Sequence, residues 1–166
     1  MRVADVMNRA VVTVSPTMTL ERAAERLVER GISGAPVVDE NGRLVGILSE
    51  SDLLRHLKRA AEETLGERYL SEPAHSLALF SFLSEREHAA VDEVYRRLRS
   101  TRVADAMTKR VETVSPADSL ETVAGVMIEH DVNRVPVVEE GRVVGIVTRA
   151  DLARVLAHGR RDVERL

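Results

Sequence analysis

Gly141-Arg142-Val143-Val144-Gly145-Ile146-Val147-Thr148-Arg149-Ala150-Asp151-Leu152 has a counterpart earlier in the chain, Gly42-Arg43-Leu44-Val45-Gly46-Ile47-Leu48-Ser49-Glu50-Ser51-Asp52-Leu53. Each copy runs as an apolar strand, a hydroxyl residue, an Asp three positions on, and a helix. A helix start accounts for this locally. Ser49 and Thr148 serve as N-caps, and Asp52 and Asp151 stand at the third helical position, where the helix dipole favours a carboxylate. A ligand site accounts for it as well: a helix N-terminus offers free N–H groups to a phosphate, and an exposed carboxylate beside it can hold a pair of sugar hydroxyls.

The duplication extends outward from this stretch. Arg2-Val3-Ala4-Asp5-Val6-Met7 returns as Arg102-Val103-Ala104-Asp105-Ala106-Met107, and Thr13-Val14-Ser15-Pro16 as Thr113-Val114-Ser115-Pro116. Leu20-Glu21 returns as Leu120-Glu121, and Pro36-Val37-Val38 as Pro136-Val137-Val138. Two copies are too few for a solenoid, so a pseudo-two-fold pair sharing one core is expected.

Within the first copy, Val11 to Val14 reads as a strand stopped by Ser15-Pro16. Thr19 caps a helix whose inward positions are Leu20, Ala23, Ala24, Leu27 and Val28, with Gly31 as its terminator. Ala35 to Asp39 and Arg43 to Leu48 are strands joined around Asn41-Gly42, a two-residue hairpin signal. A helix from about Ser51 turns Leu53, Leu54 and Leu57 inward. The second copy repeats the series, with a strand at Val111 to Val114 and a helix facing inward through Leu120, Val123, Ala124, Met127 and Ile128. Strands at Val135 to Glu139 and Arg142 to Val147 and a helix from Ala150 follow. Each copy is therefore β-α-β-β-α, with helices layered on a small sheet.

Composition bounds the function. Of 166 residues 44% are apolar, yet the chain has only two Tyr, two Phe and no Trp, so its core must be aliphatic. A net charge of −3, with acids and bases interleaved, argues against a broad nucleic-acid footprint. Without Cys there is neither a disulfide framework nor a thiolate metal site. The first residues lack the apolar run of a secretory signal, and no stretch is long enough to span a membrane, so a soluble cytoplasmic protein is expected.

The copies flank an insert from about Lys58 to Ser100. Its first helix is expected to stop at Gly66, and Ser84 with Glu87 signals the cap of another that carries Val91, Val94, Tyr95 and Leu98 on one face. All four aromatic residues, Tyr69, Phe80, Phe82 and Tyr95, lie here. They can form a satellite cluster fastening the insert, or an interface with a partner.

The ordered motifs, met twice, resemble a tandem pair of CBS (cystathionine-β-synthase) domains. They are Thr-Val-Ser-Pro, Pro-Val-Val-(Asp/Glu) and Gly-x-x-x-Gly-Ile-x-(Ser/Thr)-x-x-Asp-Leu. The resemblance covers both repeats and leaves the insert uncovered. It implies an α+β fold: a first repeat over residues 1–57, a mainly helical insert over 58–100, and a second repeat with its C-terminal helix and tail over 101–166. It also implies a non-catalytic regulatory module with clefts between the repeats for adenosine compounds. AMP, ADP and ATP are the expected ligands, S-adenosylmethionine and NAD are possible ones, and no cofactor is required. Thr148 and Asp151, with Ser49 and Asp52, correspond to the family's phosphate-contacting hydroxyl and ribose-binding carboxylate. Ile32, Ser33, Ala35 and Pro36, with Val132, Asn133, Val135 and Pro136, would line the base pockets, joined by Thr13 and Thr113. A homodimer and an unknown target protein are the implied partners, with no nucleic acid and no membrane.

The residues add an asymmetry. Thr148 is followed by Arg149 and Ser49 by Glu50, while Asn133-Arg134 stands where the first copy has Ser33-Gly34. Arginine holds a phosphate through paired donors, whereas Glu50 repels an anion. The Thr148–Asp151 site is thus expected to be the tighter, although Arg134 and Arg149 can equally be plain surface charge. An enzyme is the rival reading, but no nucleophile-elbow or phosphate-loop pattern occurs, and the five His show no recognised metal-ligand spacing. His56 is expected to be a partly exposed helix residue, and a metal role for His75 and His88 is a minor alternative. A structural module that dimerises without a nucleotide is the other rival.

Overall fold

A computed structural model describes residues 1–65 and 85–158. The first copy opens with a 3₁₀ turn at Val3–Asp5 and continues through α1 (Leu20–Glu29), β1 (Gly34–Val38), β2 (Leu44–Ser49) and α2 (Glu50–Leu65). α3 (Glu85–Ser100) belongs to the insert. The second copy comprises α4 (Val103–Ala106), α5 (Leu120–Glu129), β3 (Arg134–Glu139), β4 (Arg142–Thr148) and α6 (Arg149–His158). β1 pairs with β2 and β3 with β4, giving two two-stranded sheets in an α+β fold.

The expected strands at Val11–Val14 and Val111–Val114 contract to single parallel bridges, Val14 on Val37 and Val114 on Val137. Val14 N–H donates to the Pro36 carbonyl at 3.0 Å, and Val38 N–H returns to Val14 at 3.0 Å. The ladder ends there because Pro16 and Pro116, two residues on, have no N–H to extend it.

The hairpins also differ from expectation. In the second copy Glu140 (φ 51°) and Gly141 (φ 80°) are both left-handed and form a two-residue turn between Glu139 and Arg142. The first copy, one residue longer, does not close around Asn41-Gly42 alone. Asp39 N–H donates to the Arg43 carbonyl at 3.0 Å, and the Asp39 carboxylate accepts from Asn41 N–H at 2.9 Å and Arg43 N–H at 2.8 Å. Only Gly42 is left-handed there, so the connection is a three-residue loop over residues 40–42.

Chain contacts divide the molecule into two compact units that interleave the copies. One holds Met1–Ser15, Ala35–Ile47 and Thr108–Leu166, and the other Pro16–Gly34 and Leu48–Met107. Their cause is an exchange of leading segments. Val3 and Ala4 N–H donate to the Asp118 and Pro116 carbonyls at 2.9 and 3.0 Å, whereas Val103 and Ala104 donate to Met18 and Pro16 at 2.8 and 3.0 Å. Asn8 pairs with Ile146, and Ile47 with Thr108. The opening residues of each copy thus complete the other.

In the first unit Val3 and Met7 join Val114, Val123, Met127, Val135, Val137 and Val147 in an all-aliphatic core. In the second unit Leu20, Ala23 and Leu27 are the buried face of α1, and α3 packs on α1 and α2. Val28 and Ile128, expected inward, are each 80% exposed, because a stripe centred on 23/27 or 123/127 leaves the next position turned about 100° away. Leu54 and Leu57 also face out, while Leu53 is half-buried.

The caps follow expectation. Thr19 and Ser119 accept from Arg22 and Thr122 N–H at 3.4 and 3.2 Å. Gly31 (φ 61°) ends α1, with Ile32 N–H donating to Leu27 at 3.0 Å, and Asp131 (φ 49°) takes the same left-handed role after α5. Tyr95 is half-exposed; Tyr69, Phe80, Phe82, His75, Gly66 and the Ser84 cap lie outside the described residues. His56 is half-buried, its Nε2 3.2 Å from Thr101 Oγ1.

Candidate functional site

Each copy makes a tight corner where its second strand becomes a helix. Thr148 ends β4, and its N–H and hydroxyl donate to Asp151 Oδ2 at 2.7 and 2.6 Å. Asp151 N–H in turn donates to Thr148 Oγ1 at 3.3 Å. Ser49 and Asp52 repeat the arrangement with bonds of 2.8, 2.6 and 3.4 Å. This is a reciprocal cap with Asp in the third helical position, as the helix-start reading requires.

The ligand reading needs two corrections to its geometry. The carboxylates are not exposed: Asp52 is 3% and Asp151 8% accessible, because capping folds each back onto the strand end. Nor are all the first-turn amides free. Arg149 N–H donates to the Asn133 carbonyl at 2.9 Å and Glu50 N–H to Ser33 at 3.0 Å. The segment before each first strand therefore closes its own corner.

A buried ionised carboxylate requires further partners. They are residues the sequence reading missed. Arg154 Nη2 donates to Asp151 Oδ1 at 2.6 Å, and Arg55 Nη2 does the same to Asp52 Oδ1. The signal was present in the duplicated Asp-x-x-Arg, whose spacing places both side chains on one helix face.

The other expected site residues divide between the corner and its support. Arg134 faces Thr148 across the β3–β4 ladder, with Val135 opposite Val147 and Pro136 opposite Ile146. Arg149 reaches Asp131 at 3.3 Å through side chains 55% and 98% exposed. Asn133 is exposed and Val132 half-buried against its core. Val135 and Pro136 are fully buried, as are Ala35 and Pro36 in β1. Ile32 is half-buried and Ser33 exposed. Thr13 and Thr113 immediately precede Val14 and Val114, which bridge to Val37 and Val137. Among the described residues no group of three or more His, Asp or Glu is placed to hold a metal ion, and no helix is long and apolar enough to cross a membrane.

The family model for the CBS domain matches residues 3–59 and 103–158. Protein MJ1426 of Methanocaldococcus jannaschii is 31% identical over 158 residues, covering 94% of this chain and 91% of that protein. The chloroplast CBS domain-containing protein CBSX1 of Arabidopsis thaliana is 31% identical over 92% of this chain and 61% of its own length. Among solved structures, the CBS domain of a membrane protein from Sphaerobacter thermophilus matches with a TM-score of 0.67 and 35% identity, over 93% of this chain and 86% of that one. CBSX2 in complex with AMP matches with a TM-score of 0.68 and 28% identity, over 96% and 98%. This chain therefore belongs to the CBS-domain family and carries two copies of the domain.

Proposed function

We propose that the chain is a non-catalytic regulatory module binding an adenosine-type ligand of the AMP, ADP or ATP class at its strand-to-helix corners. S-adenosylmethionine and NAD are further candidates, and the bound state is read by a dimer mate or a target protein. The carrying observation is the corner made twice, a hydroxyl and a buried carboxylate at a helix start. The AMP complex of the similar CBSX2 supports it. The ribose hydroxyls donate to the carboxylate, the hydroxyl side chain and helix start meet phosphate, and the half-buried Ile32 or Val132 of the same copy flanks the base. The Thr148–Asp151 corner is the tighter, since Arg149 is held only by an exposed ion pair with Asp131, worth about 1 kcal/mol or less and readily exchanged for phosphate.

A thermal-shift panel of AMP, ADP, ATP, S-adenosylmethionine and NAD tests this. A ligand at one hundred times its dissociation constant adds about 2.7 kcal/mol, a rise of roughly 5–10 °C for a domain of this size. A flat panel at millimolar ligand contradicts the ligand reading.

The second reading, an interaction module without a nucleotide, is favoured by one surface. A groove of about 460 Å³ between α1, α2 and α3 is lined by Leu20, Val28, Leu53, Leu57, Tyr95 and Leu98. Exposed apolar residues recur at equivalent positions of the second copy, Ile128 for Val28 and Leu156 for Leu57. Apolar exposure at these two positions of both copies suits pairing with a second copy of the same chain. Sedimentation of the wild type and of Leu57→Glu tests it: a dimer lost in the variant supports the pairing, and a monomeric wild type rules it out.

A further inference from the structure

The second-copy corner contains a contact that ribose binding does not use. Arg154 and Asp151 form an ion pair whose side chains are 56% and 11% exposed. Asp151 Oδ2 already accepts from the Thr148 N–H and hydroxyl, and Oδ1 accepts from Arg154. A carboxylate offers about four lone-pair directions, two on each oxygen. The chain itself fills three of them, which leaves one on Oδ1. A vicinal diol brings two hydroxyl hydrogens. The first can take the open direction, and the second meets the one that Arg154 holds. The equivalent Arg55 sits on Asp52 Oδ1 in the other copy, so the contact is part of the duplicated corner.

We propose that Arg154 is a displaceable counter-ion that sets the corner's affinity for diol-bearing ligands. It neutralises the buried carboxylate while the corner is empty and leaves Oδ1 when both hydroxyls of a ribose bind. The inference rests on the adenosine-type reading above. The guanidinium is more than half exposed, so water replaces the contact it gives up, and its retention lowers diol affinity by about fivefold.

Calorimetry on the full chain with adenosine, which has no phosphate to respond to a lost positive charge, isolates the effect. Arg154→Met keeps length and helix propensity without a donor, and Arg154→Ala is the second variant. Both are expected to bind adenosine about fivefold tighter than wild type. With 2′,3′-dideoxyadenosine, which has no hydroxyl to compete, wild type and variants are expected to bind alike. If wild type binds and both variants, folded by circular dichroism, bind adenosine equally or more weakly, this inference alone is overturned and Arg154 positions the carboxylate instead. A gain of equal size with the dideoxy compound also overturns it. If wild type and variants all fail to bind adenosine and AMP at millimolar concentration, the ligand reading falls and takes this inference with it.

Discussion

The two corners share their frame and differ in their charges. Hydroxyl, carboxylate and following arginine are bonded alike at Ser49–Asp52–Arg55 and Thr148–Asp151–Arg154. Around that frame the first copy places Gly31, Ser33, Gly34 and Glu50, and the second Asp131, Asn133, Arg134 and Arg149. A helix cap explains the shared hydroxyl and carboxylate, and the shared arginine balances the buried charge. The differences give the second copy two arginines, Arg134 and Arg149, where the first has Gly34 and Glu50, and the proposed preference for an anion rests on them.

The largest effects test whether each copy is completed by the other's leading segment. Val3→Ala and Val103→Ala each remove a fully buried side chain and should lower stability by about 2 kcal/mol. Hydrogen exchange should place the loss for Val3→Ala at β3 and β4, in the copy to which Val3 does not belong. Protection lost instead in α1 would break the exchange.

Gly145→Ala comes next. A Cβ there would stand 2.4 Å from Met7 Sδ and 3.2 Å from its Cβ, so the buried Met7 side chain must move aside, at about 1–3 kcal/mol. Chemical denaturation measures it, and a combined Met7→Ala change should recover part of the loss beyond additivity.

A smaller effect separates the helix ends. Asp131 occupies the left-handed position that Gly31 fills in the first copy. Asp131→Gly should therefore raise the melting midpoint by the equivalent of about 1 kcal/mol or less, while Gly31→Asp should lower it.

The smallest concerns acid. Hydrogen bonds from Arg59 to Glu63, and from Arg97 and Arg96 to Glu93, hold both carboxyls below their ordinary range. A carboxyl lowered on folding contributes above its unfolded value and loses the contribution as pH falls through its folded value. A pH titration should thus find α2 and α3 weakening slightly in acid, and Glu63→Gln should flatten the slope.

The duplication, helix starts, helix stops and corners were legible because each is encoded within a few residues. The exchange of leading segments was not, since Val3 and Val103 have the same neighbours whichever copy receives them. The hairpin signal at Asn41-Gly42 failed because Asp39 captures two backbone amides and draws a third residue into the loop. Val28 and Ile128 fit a helical stripe but fall outside its buried arc. Asp52 and Asp151, expected to be exposed, are buried. The partners that allow their burial, Arg55 and Arg154, read in sequence as ordinary surface charge.

Calorimetric titration of AMP into wild type, Asp52→Ala and Asp151→Ala tests the inequality of the corners most directly. Deleting a carboxylate that accepts ligand hydroxyls should weaken its own site by at least about tenfold. Asp151→Ala is expected to abolish the tighter binding and Asp52→Ala to leave it intact. Equal losses in the two variants, or a greater loss in Asp52→Ala, would contradict it.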